Sequence, residues 1–183
     1  LMGDMQDESG EICGRTIGLV GYGAVPRLLA PVLTAMGARV VYTCSEAKAD
    51  AVGAYLSFNE LLAVSDIMSL HVPLTATTDK MVNAVAIKRM KAGAILINTS
   101  RGGVVDEEAL RRALGERRLA AAGLDVFASE PLAPDDPLLS LDNVVVTPHV
   151  AYLTAETMAR SIHVAAENCR RLGSKEELLH RVV

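Results

Sequence analysis

The fold of this chain is decided by one stretch near its beginning, Thr16-Ile17-Gly18-Leu19-Val20-Gly21-Tyr22-Gly23-Ala24-Val25-Pro26. An apolar run, a turn with two glycines and the start of an amphipathic segment predict a β-strand that turns tightly into an α-helix. Gly21 and Gly23 permit the turn. Together with Ala24 and Val25 they bring backbone N–H groups at the helix N-terminus close to a bound pyrophosphate. This stretch therefore predicts a cofactor-binding loop.

The glycine pattern is incomplete, because Pro26 stands where the third glycine of G-x-G-x-x-G is expected. Proline is tolerated in a first helical turn, since its missing N–H has no helical partner there. It is nevertheless bulkier than glycine, and it removes one potential phosphate donor. Taken alone, the stretch also fits a strand–helix turn that binds nothing.

Short apolar runs alternate with amphipathic segments along the rest of the chain. Strands are predicted at Thr16–Val20, Arg39–Thr43, Ile67–Leu70, Ala94–Asn98, Leu119–Leu124 and Val144–Thr147. Helices are predicted at Val25–Met36, at Phe58–Val64 behind a Ser57/Glu60 capping box, at Val85–Met90, from the Asp106 cap to Arg117, and from Ala155 to Leu172. This alternation predicts an α/β fold, a doubly wound parallel sheet of the Rossmann-like, NAD(P)-binding type.

The length of 183 residues is sufficient for one domain with its own core. We expect residues 1–13 to form a connector and residues 14–150 a dinucleotide-binding domain. Residues 151–183 are expected to form a C-terminal helical segment that packs on this domain or on a substrate-binding domain.

Composition excludes several kinds of partner. The net charge is −4 and the basic residues are dispersed, so we expect no nucleic-acid partner. The sequence lacks an apolar run of roughly 18 residues, so no membrane association is expected. Cys13, Cys44 and Cys169 are widely separated and lack metal-ligand spacing. We therefore expect no metal site, and we expect the reduced thiols of a cytoplasmic protein.

The end of the second predicted strand bears on the choice of cofactor. Dinucleotide sites usually place an acidic residue there to bind the ribose 2′-hydroxyl, and Thr43 occupies this place. The absence of that carboxylate favours tolerance of a 2′-phosphate. A 2′-phosphate also needs a cation to bind it, and the nearest one downstream is Lys48. Glu46 could still serve a 2′-hydroxyl. The cofactor predicted from these residues is NAD or NADP.

Three reactive side chains follow predicted strands. Arg101 follows Ala94–Asn98, Glu130 follows Leu119–Leu124, and His149 follows Val144–Thr147. A guanidinium can bind a carboxylate through two oxygens, an imidazole can transfer a proton, and a carboxylate can set the basicity of that imidazole. These are the groups that hydride transfer between a 2-keto acid and a 2-hydroxy acid requires.

The motifs that carry these residues occur in a recognisable order: Gly14-Arg15-Thr16-Ile17-Gly18-Leu19, His71-Val72-Pro73-Leu74-Thr75, Asn98-Thr99-Ser100-Arg101-Gly102, Ala122-Gly123-Leu124-Asp125-Val126-Phe127, Glu130-Pro131 and Thr147-Pro148-His149. In these motifs the chain resembles the D-isomer-specific 2-hydroxyacid dehydrogenases from Gly14 to its end. The resemblance implies that Arg101 binds the substrate carboxylate and that His149 is the acid/base. Glu130 would pair with that imidazole and favour its protonated form.

The resemblance also implies cofactor contacts. Asp125 matches the residue that anchors the nicotinamide carboxamide, and Thr99, Val72 and Pro73 would line the cofactor channel. His71 fits a strand-end histidine and is given no chemical role.

Other expectations follow from the same resemblance. Tyr152 after the catalytic histidine favours small 2-keto acids such as glyoxylate or pyruvate. Family members carry, ahead of the glycine loop, half of a substrate-binding domain that this chain lacks, so we expect cofactor binding with slow turnover. The resemblance implies a homodimer, and the apolar content of Val25–Met36 and of the Pro73–Met90 region fits packing across it and fits burial in the core equally well. The alternative is an NAD(H)-sensing binding module of the corepressor type, which would not turn over.

Overall fold

One parallel sheet organises the residues that the computed structural model describes, 10–180, so that most of the predicted connector, residues 1–9, lies outside the described residues. The strands are β1 (Thr16–Val20), β2 (Arg39–Thr43), β3 (Ala54–Tyr55), β4 (Ile67–Leu70), β5 (Ala94–Asn98), β6 (Leu119–Leu124) and β7 (Val144–Val146). All neighbours pair in parallel, in the order β3-β2-β1-β4-β5-β6-β7. The predicted doubly wound sheet is confirmed, and its order reverses between β1 and β4.

Four of the five helices within residues 10–180 follow an N-cap side chain that accepts a hydrogen bond from the first turn. The five are α1 (Ala24–Ala35), α2 (Phe58–Val64), α3 (Ala84–Arg89), α4 (Glu107–Gly115) and α5 (Ala155–Ser174). The predicted capping box of α2 is present, with the Ser57 hydroxyl and the Glu60 carboxylate each accepting from the other residue's backbone N–H. The Asp106 carboxylate accepts from the Ala109 N–H at 3.2 Å, as expected for a cap of α4.

Alternate side chains of the central strands enter two separate cores. Ile17 and Leu19 of β1 pack with Ala30 and Leu33 of α1 on one face of the sheet. Val20 belongs instead to the core on the other face, where α2, α3 and α4 contribute their buried side chains. This two-sided burial follows from the two-residue period of a strand, and it explains why the central strands are continuously apolar.

Several boundaries differ from those predicted. The sequence did not predict β3, which is two residues long and exposed. Thr147 lies beyond β7, although its N–H still donates to the Leu124 carbonyl at 2.9 Å. Helix α4 ends at Gly115, before the predicted end at Arg117, because Arg117 adopts a positive φ of 54°. Helix α5 continues to Ser174.

The chain divides into two compact units between Pro148 and His149. The first unit contains the sheet and α1–α4, and the second contains α5. Within residues 10–180 no helix combines the length and the apolar character needed to cross a membrane.

Candidate coenzyme and substrate site

A cleft opens at the carboxyl ends of β1, β4 and β5, where the strand order reverses. Its volume is about 630 Å³. One segment from the end of each strand contributes to the lining: Gly23-Ala24-Val25-Pro26 after β1, His71-Val72-Pro73-Leu74 after β4, and Thr99-Ser100-Arg101 after β5. The switch point of a doubly wound sheet is where such folds bind ligands.

The turn after β1 is held between its two neighbouring strands. The Gly21 N–H donates to the Thr43 carbonyl at 2.8 Å, and the His71 N–H donates to the Val20 carbonyl at 2.7 Å. Gly21 has a φ of 96°, and a Cβ at this position would lie 2.6 Å from the His71 carbonyl oxygen. Glycine is therefore required here both by backbone conformation and by the close approach of β4.

Helix α1 presents its N-terminus to the cleft. Gly23 is the N-cap and has no side chain to occupy the helix amides, and a Cβ there would meet no atom within 4 Å. The first N–H groups of a helix lack intrahelical partners, so those of Ala24 and Val25 are suited to a phosphate. Pro26 is buried in this first turn, which shows that its ring is accommodated where a third glycine was expected.

The loop after β2 borders the turn of β1. Thr43, the predicted ribose contact, is buried, whereas the next residue, Cys44, is half-buried. The Cys44 thiol donates to the Glu46 carbonyl at 2.9 Å. Lys48 donates to the Glu46 carboxylate at 2.7 Å, and this hydrogen bond lowers the pKa of Glu46 and raises that of Lys48. Arg27 of α1 forms an ion pair with Asp50 of the same loop.

Three tyrosines hold this loop in place. The Tyr22 hydroxyl accepts from the Val52 N–H at 2.8 Å, and the Tyr42 hydroxyl accepts from the Lys48 N–H at 2.9 Å. The Tyr55 hydroxyl donates to the Cys44 carbonyl at 3.3 Å. The rings of Tyr22 and Tyr42 lie 4.3 Å apart, and those of Tyr42 and Tyr55 lie 5.6 Å apart.

The turn after β5 is built around a buried amide. The Asn98 side chain donates to the Arg101 carbonyl at 2.9 Å and accepts from the Ser100 N–H and hydroxyl at 3.0 and 2.8 Å. These bonds set the direction of the turn, and Arg101 lies exposed at its end, beside Thr99. The sequence motif contained Asn98, but only the structure shows that it positions Arg101.

Two predicted residues follow β6. Asp125 is buried, and its carboxylate accepts from the Thr147 hydroxyl at 2.5 Å. The Asp125 N–H donates to the Asn98 carbonyl at 3.0 Å, which links this strand end to the Arg101 turn. The Glu130 carboxylate accepts from the Phe127 N–H at 2.9 Å.

His149 is the first residue of the second compact unit. Its φ of 56° lies in the left-handed region, which is uncommon for a residue with a side chain. Its ring meets that of Tyr152 edge-on, with 6.0 Å between the centroids. The structure therefore gathers Gly23, Ala24, Val25, Val72, Pro73, Thr99 and Arg101 in one cleft. It places Gly21, Thr43 and Asp125 at strand ends of the same unit, and Glu130 in the loop after β6. His149 belongs to the other unit.

His71 lines the cleft, although no role was predicted for it. Its Nε2 lies 3.0 Å from the Ser69 hydroxyl, and burial lowers the pKa of its imidazole. The signal that could have identified it is its position directly after β4, next to the predicted channel residues Val72 and Pro73.

A doubly wound parallel sheet with a glycine turn and a helix N-terminus at its switch point defines a nucleotide-binding domain of the Rossmann type. The family model described as "D-isomer specific 2-hydroxyacid dehydrogenase, NAD binding domain" matches residues 3–151. The chain belongs to this family.

Similarity to individual proteins supports the same family assignment. The chain is similar to the glyoxylate reductase of Korarchaeum cryptofilum, with 46% identity over 162 residues that cover 86% of this chain and 49% of that protein. The crystal structure of D-lactate dehydrogenase with NAD+ from Lactobacillus jensenii superposes with a TM-score of 0.88, at 36% identity over 96% of this chain and 57% of that one. An acyclic imino acid reductase in complex with NADPH and D-Arg gives a TM-score of 0.86 at 30% identity, over 95% of this chain and 55% of that one.

The chain spans about half the length of the curated relatives it matches, 49% for the glyoxylate reductase. These relatives are named as reductases and dehydrogenases, and the sensing module considered from the sequence gains no support from them.

Proposed function

We propose that this chain binds the nicotinamide coenzyme of an oxidoreductase that interconverts a small 2-keto acid and a D-2-hydroxy acid. The observation that carries the proposal is the cleft at the switch point, which combines a helix N-terminus with the guanidinium-bearing turn of Arg101. Glyoxylate, pyruvate and similar short keto acids are the substrate class.

The cleft fits a dinucleotide. Gly23 leaves open space at the N-terminus of α1, where the N–H groups of Ala24 and Val25 would bind the pyrophosphate. Val72, Pro73 and Thr99 line the path from there to Arg101, and Asp125 would bind the nicotinamide carboxamide. When bound, the coenzyme supplies or accepts the hydride.

The chain's own residues would perform the remaining steps. Arg101 would bind the substrate carboxylate through two oxygens and orient the carbonyl group. His149 would donate a proton to the carbonyl oxygen during reduction and take it back during oxidation. Glu130 would stabilise the imidazolium and so keep that proton available near neutral pH.

Substitution of the acid/base tests the chemistry in the full-length protein. We expect His149→Gln to lower kcat for glyoxylate reduction by roughly 10²- to 10⁴-fold, because the proton donor is lost. His163→Gln on α5 is the matched control, since His163 is exposed and has no proposed role. Full activity of His149→Gln would refute the assignment.

We propose that NADH binds more tightly than NADPH. The cations nearest to the end of β2 are already paired, Lys48 with Glu46 and Arg27 with Asp50. A 2′-phosphate would have to displace these carboxylates, whereas a 2′-hydroxyl would not. Calorimetric titration of both coenzymes tests this order, and Glu46→Gln, which releases Lys48, should shift the affinity ratio towards NADPH. An unchanged ratio would exclude this loop as its determinant.

We propose that the protein is a homodimer. Helix α1 exposes three apolar side chains on one face, Val25 (60%), Leu28 (76%) and Val32 (55%), and its C-cap residue Met36 (50%) extends this face. Packing this face against its symmetry mate would remove it from water. Leu28→Lys should dissociate the dimer in sedimentation experiments, whereas Val145→Lys, at an exposed apolar residue elsewhere, should not. A monomeric unsubstituted protein would refute the proposal.

We also propose a cytoplasmic location, which the three free cysteines support. Cell fractionation tests this location, and recovery of the protein outside the cytoplasm would contradict it.

A further inference from the structure

The loop after β6 carries Glu130 and is bound by carboxylates at two consecutive N–H groups. The Phe127 N–H donates to Glu130 itself at 2.9 Å. The Ala128 N–H donates to the Glu107 carboxylate at 2.6 Å. Glu107 is the first residue of α4, so the second bond ties the loop to a different element of the fold.

A second contact joins the same two segments. Gly102 is buried, and a Cβ at this position would overlap the carbonyl carbon of Phe127. The backbone directly after Arg101 therefore packs on the loop that carries Glu130. A 3-10 turn (Gly102–Val104) and the Asp106 cap connect this packing point to Glu107. The folded stretch 102–107 thus contacts the β6 loop at both of its ends, Gly102 and Glu107.

The next residue on α4 allows the role of Glu107 to be separated from a simple helix effect. Glu107 and Glu108 both lie in the first turn, where a negative charge stabilises the helix. The exposed Glu108 pairs with Arg111 on its own helix, at 2.6 Å. The half-buried Glu107 is instead the partner of the loop. Both carboxylates can stabilise the N-terminus of the helix, but only Glu107 also binds the loop.

We propose that Glu107 is a positioning residue, which fixes the β6 loop and so holds Glu130 in one place relative to Arg101. The proposal rests on the role proposed above for Glu130. A charged acceptor shortens and strengthens the bond to Ala128. Misplacement of a reacting group by a change away from the chemistry lowers turnover more than it lowers substrate binding.

The kinetic test uses the full-length protein with NADH and glyoxylate. We expect Glu107→Ala to lower kcat roughly 10- to 100-fold, while the KM for NADH stays within about twofold because the α1 N-terminus is unchanged. Glu107→Gln, whose amide oxygen can still accept from the Ala128 N–H, should restore most of kcat. Glu108→Ala is the matched control and should keep the activity of the unsubstituted protein. Equal kcat values for Glu107→Ala and Glu108→Ala would overturn the proposal.

A measurement without catalysis separates this inference from the proposed function. Hydrogen exchange at the Ala128 amide should accelerate in Glu107→Ala and remain slow in Glu108→Ala. Unchanged exchange in Glu107→Ala would overturn the positioning role, whether or not the protein reduces a keto acid. An unsubstituted protein without keto-acid activity, but with accelerated exchange in Glu107→Ala, would instead refute the proposed function and leave the loop contact established.

Discussion

Substitutions of the two glycines in the turn after β1 should affect different properties, the stability of the fold for Gly21 and the binding of coenzyme for Gly23. Gly21 has a φ of 96° and lies against the His71 carbonyl, whereas Gly23 has a φ of −91° and open space beside it. Alanine at residue 21 would adopt a left-handed conformation that costs about 1–2 kcal/mol. Its methyl group, 2.6 Å from the His71 oxygen, would also push β1 from β4. We therefore expect Gly21→Ala to lower the free energy of unfolding by about 2–4 kcal/mol.

Gly23→Ala should weaken the binding of NADH but change the free energy of unfolding only slightly. Replacing glycine by alanine at an N-cap costs about 1 kcal/mol or less, and no clash adds to it. The methyl group would, however, project into the space where we propose that the pyrophosphate binds. We expect the Kd for NADH to rise at least about tenfold, which corresponds to about 1.4 kcal/mol.

Thermal unfolding and calorimetric titration on the two variants check both values. For a domain of this size, Tm should fall by about 5–15 °C in Gly21→Ala and by less than about 4 °C in Gly23→Ala. Unaltered NADH affinity in Gly23→Ala would refute the placement of pyrophosphate at the N-terminus of α1. Equal losses of stability in the two variants would refute the distinction drawn from backbone conformation.

Three further changes address single features of the first unit. Pro26→Ala restores an N–H in the first turn of α1, so NADH should bind about 2- to 10-fold more tightly by calorimetry; unchanged affinity would mean that this position does not contact phosphate. Burial lowers the pKa of His71, so the unfolded chain binds a proton more tightly and stability falls as the pH drops below about 6.5. His71→Asn should flatten this part of a urea-midpoint profile, and an unchanged slope would contradict the assignment. Partial burial raises the pKa of Asp66, but bonds from Lys91 and the Thr16 N–H outweigh it and lower the pKa overall. The stability that Lys91→Ala removes should therefore be largest above about pH 4 and vanish as the pH falls through the folded pKa; a loss independent of pH would exclude this ion pair as its source.

The sequence was sufficient to predict the sheet because the determining signals are local. The central strands are continuous apolar runs, and the capping box at Ser57 marks the start of α2 within a few residues. Strand β3 has two exposed residues, so no alternation of apolar and polar side chains was available to predict it.

The site was predicted less completely because its organising contacts are not local. The motif placed Arg101 after β5, but the amide of Asn98 that holds the turn forms its bonds only when the strand end is folded. The bond between Glu107 and Ala128 joins residues from separate elements, which no local pattern reveals. Thr43 was predicted from its position at the end of a strand, and spacing alone could not show that its side chain is buried.

The tyrosine cluster that holds the loop after β2 gives the protein an intrinsic optical probe. The chain contains no tryptophan and four tyrosines, so tyrosine emission is not masked. Tyr22, Tyr42 and Tyr55 lie together beside the coenzyme cleft, while Tyr152 belongs to the second unit. We therefore expect three of the four tyrosines to lie within energy-transfer range of a reduced nicotinamide bound in that cleft. Coenzyme binding can be followed as quenching of the natural protein, without a label or an engineered residue.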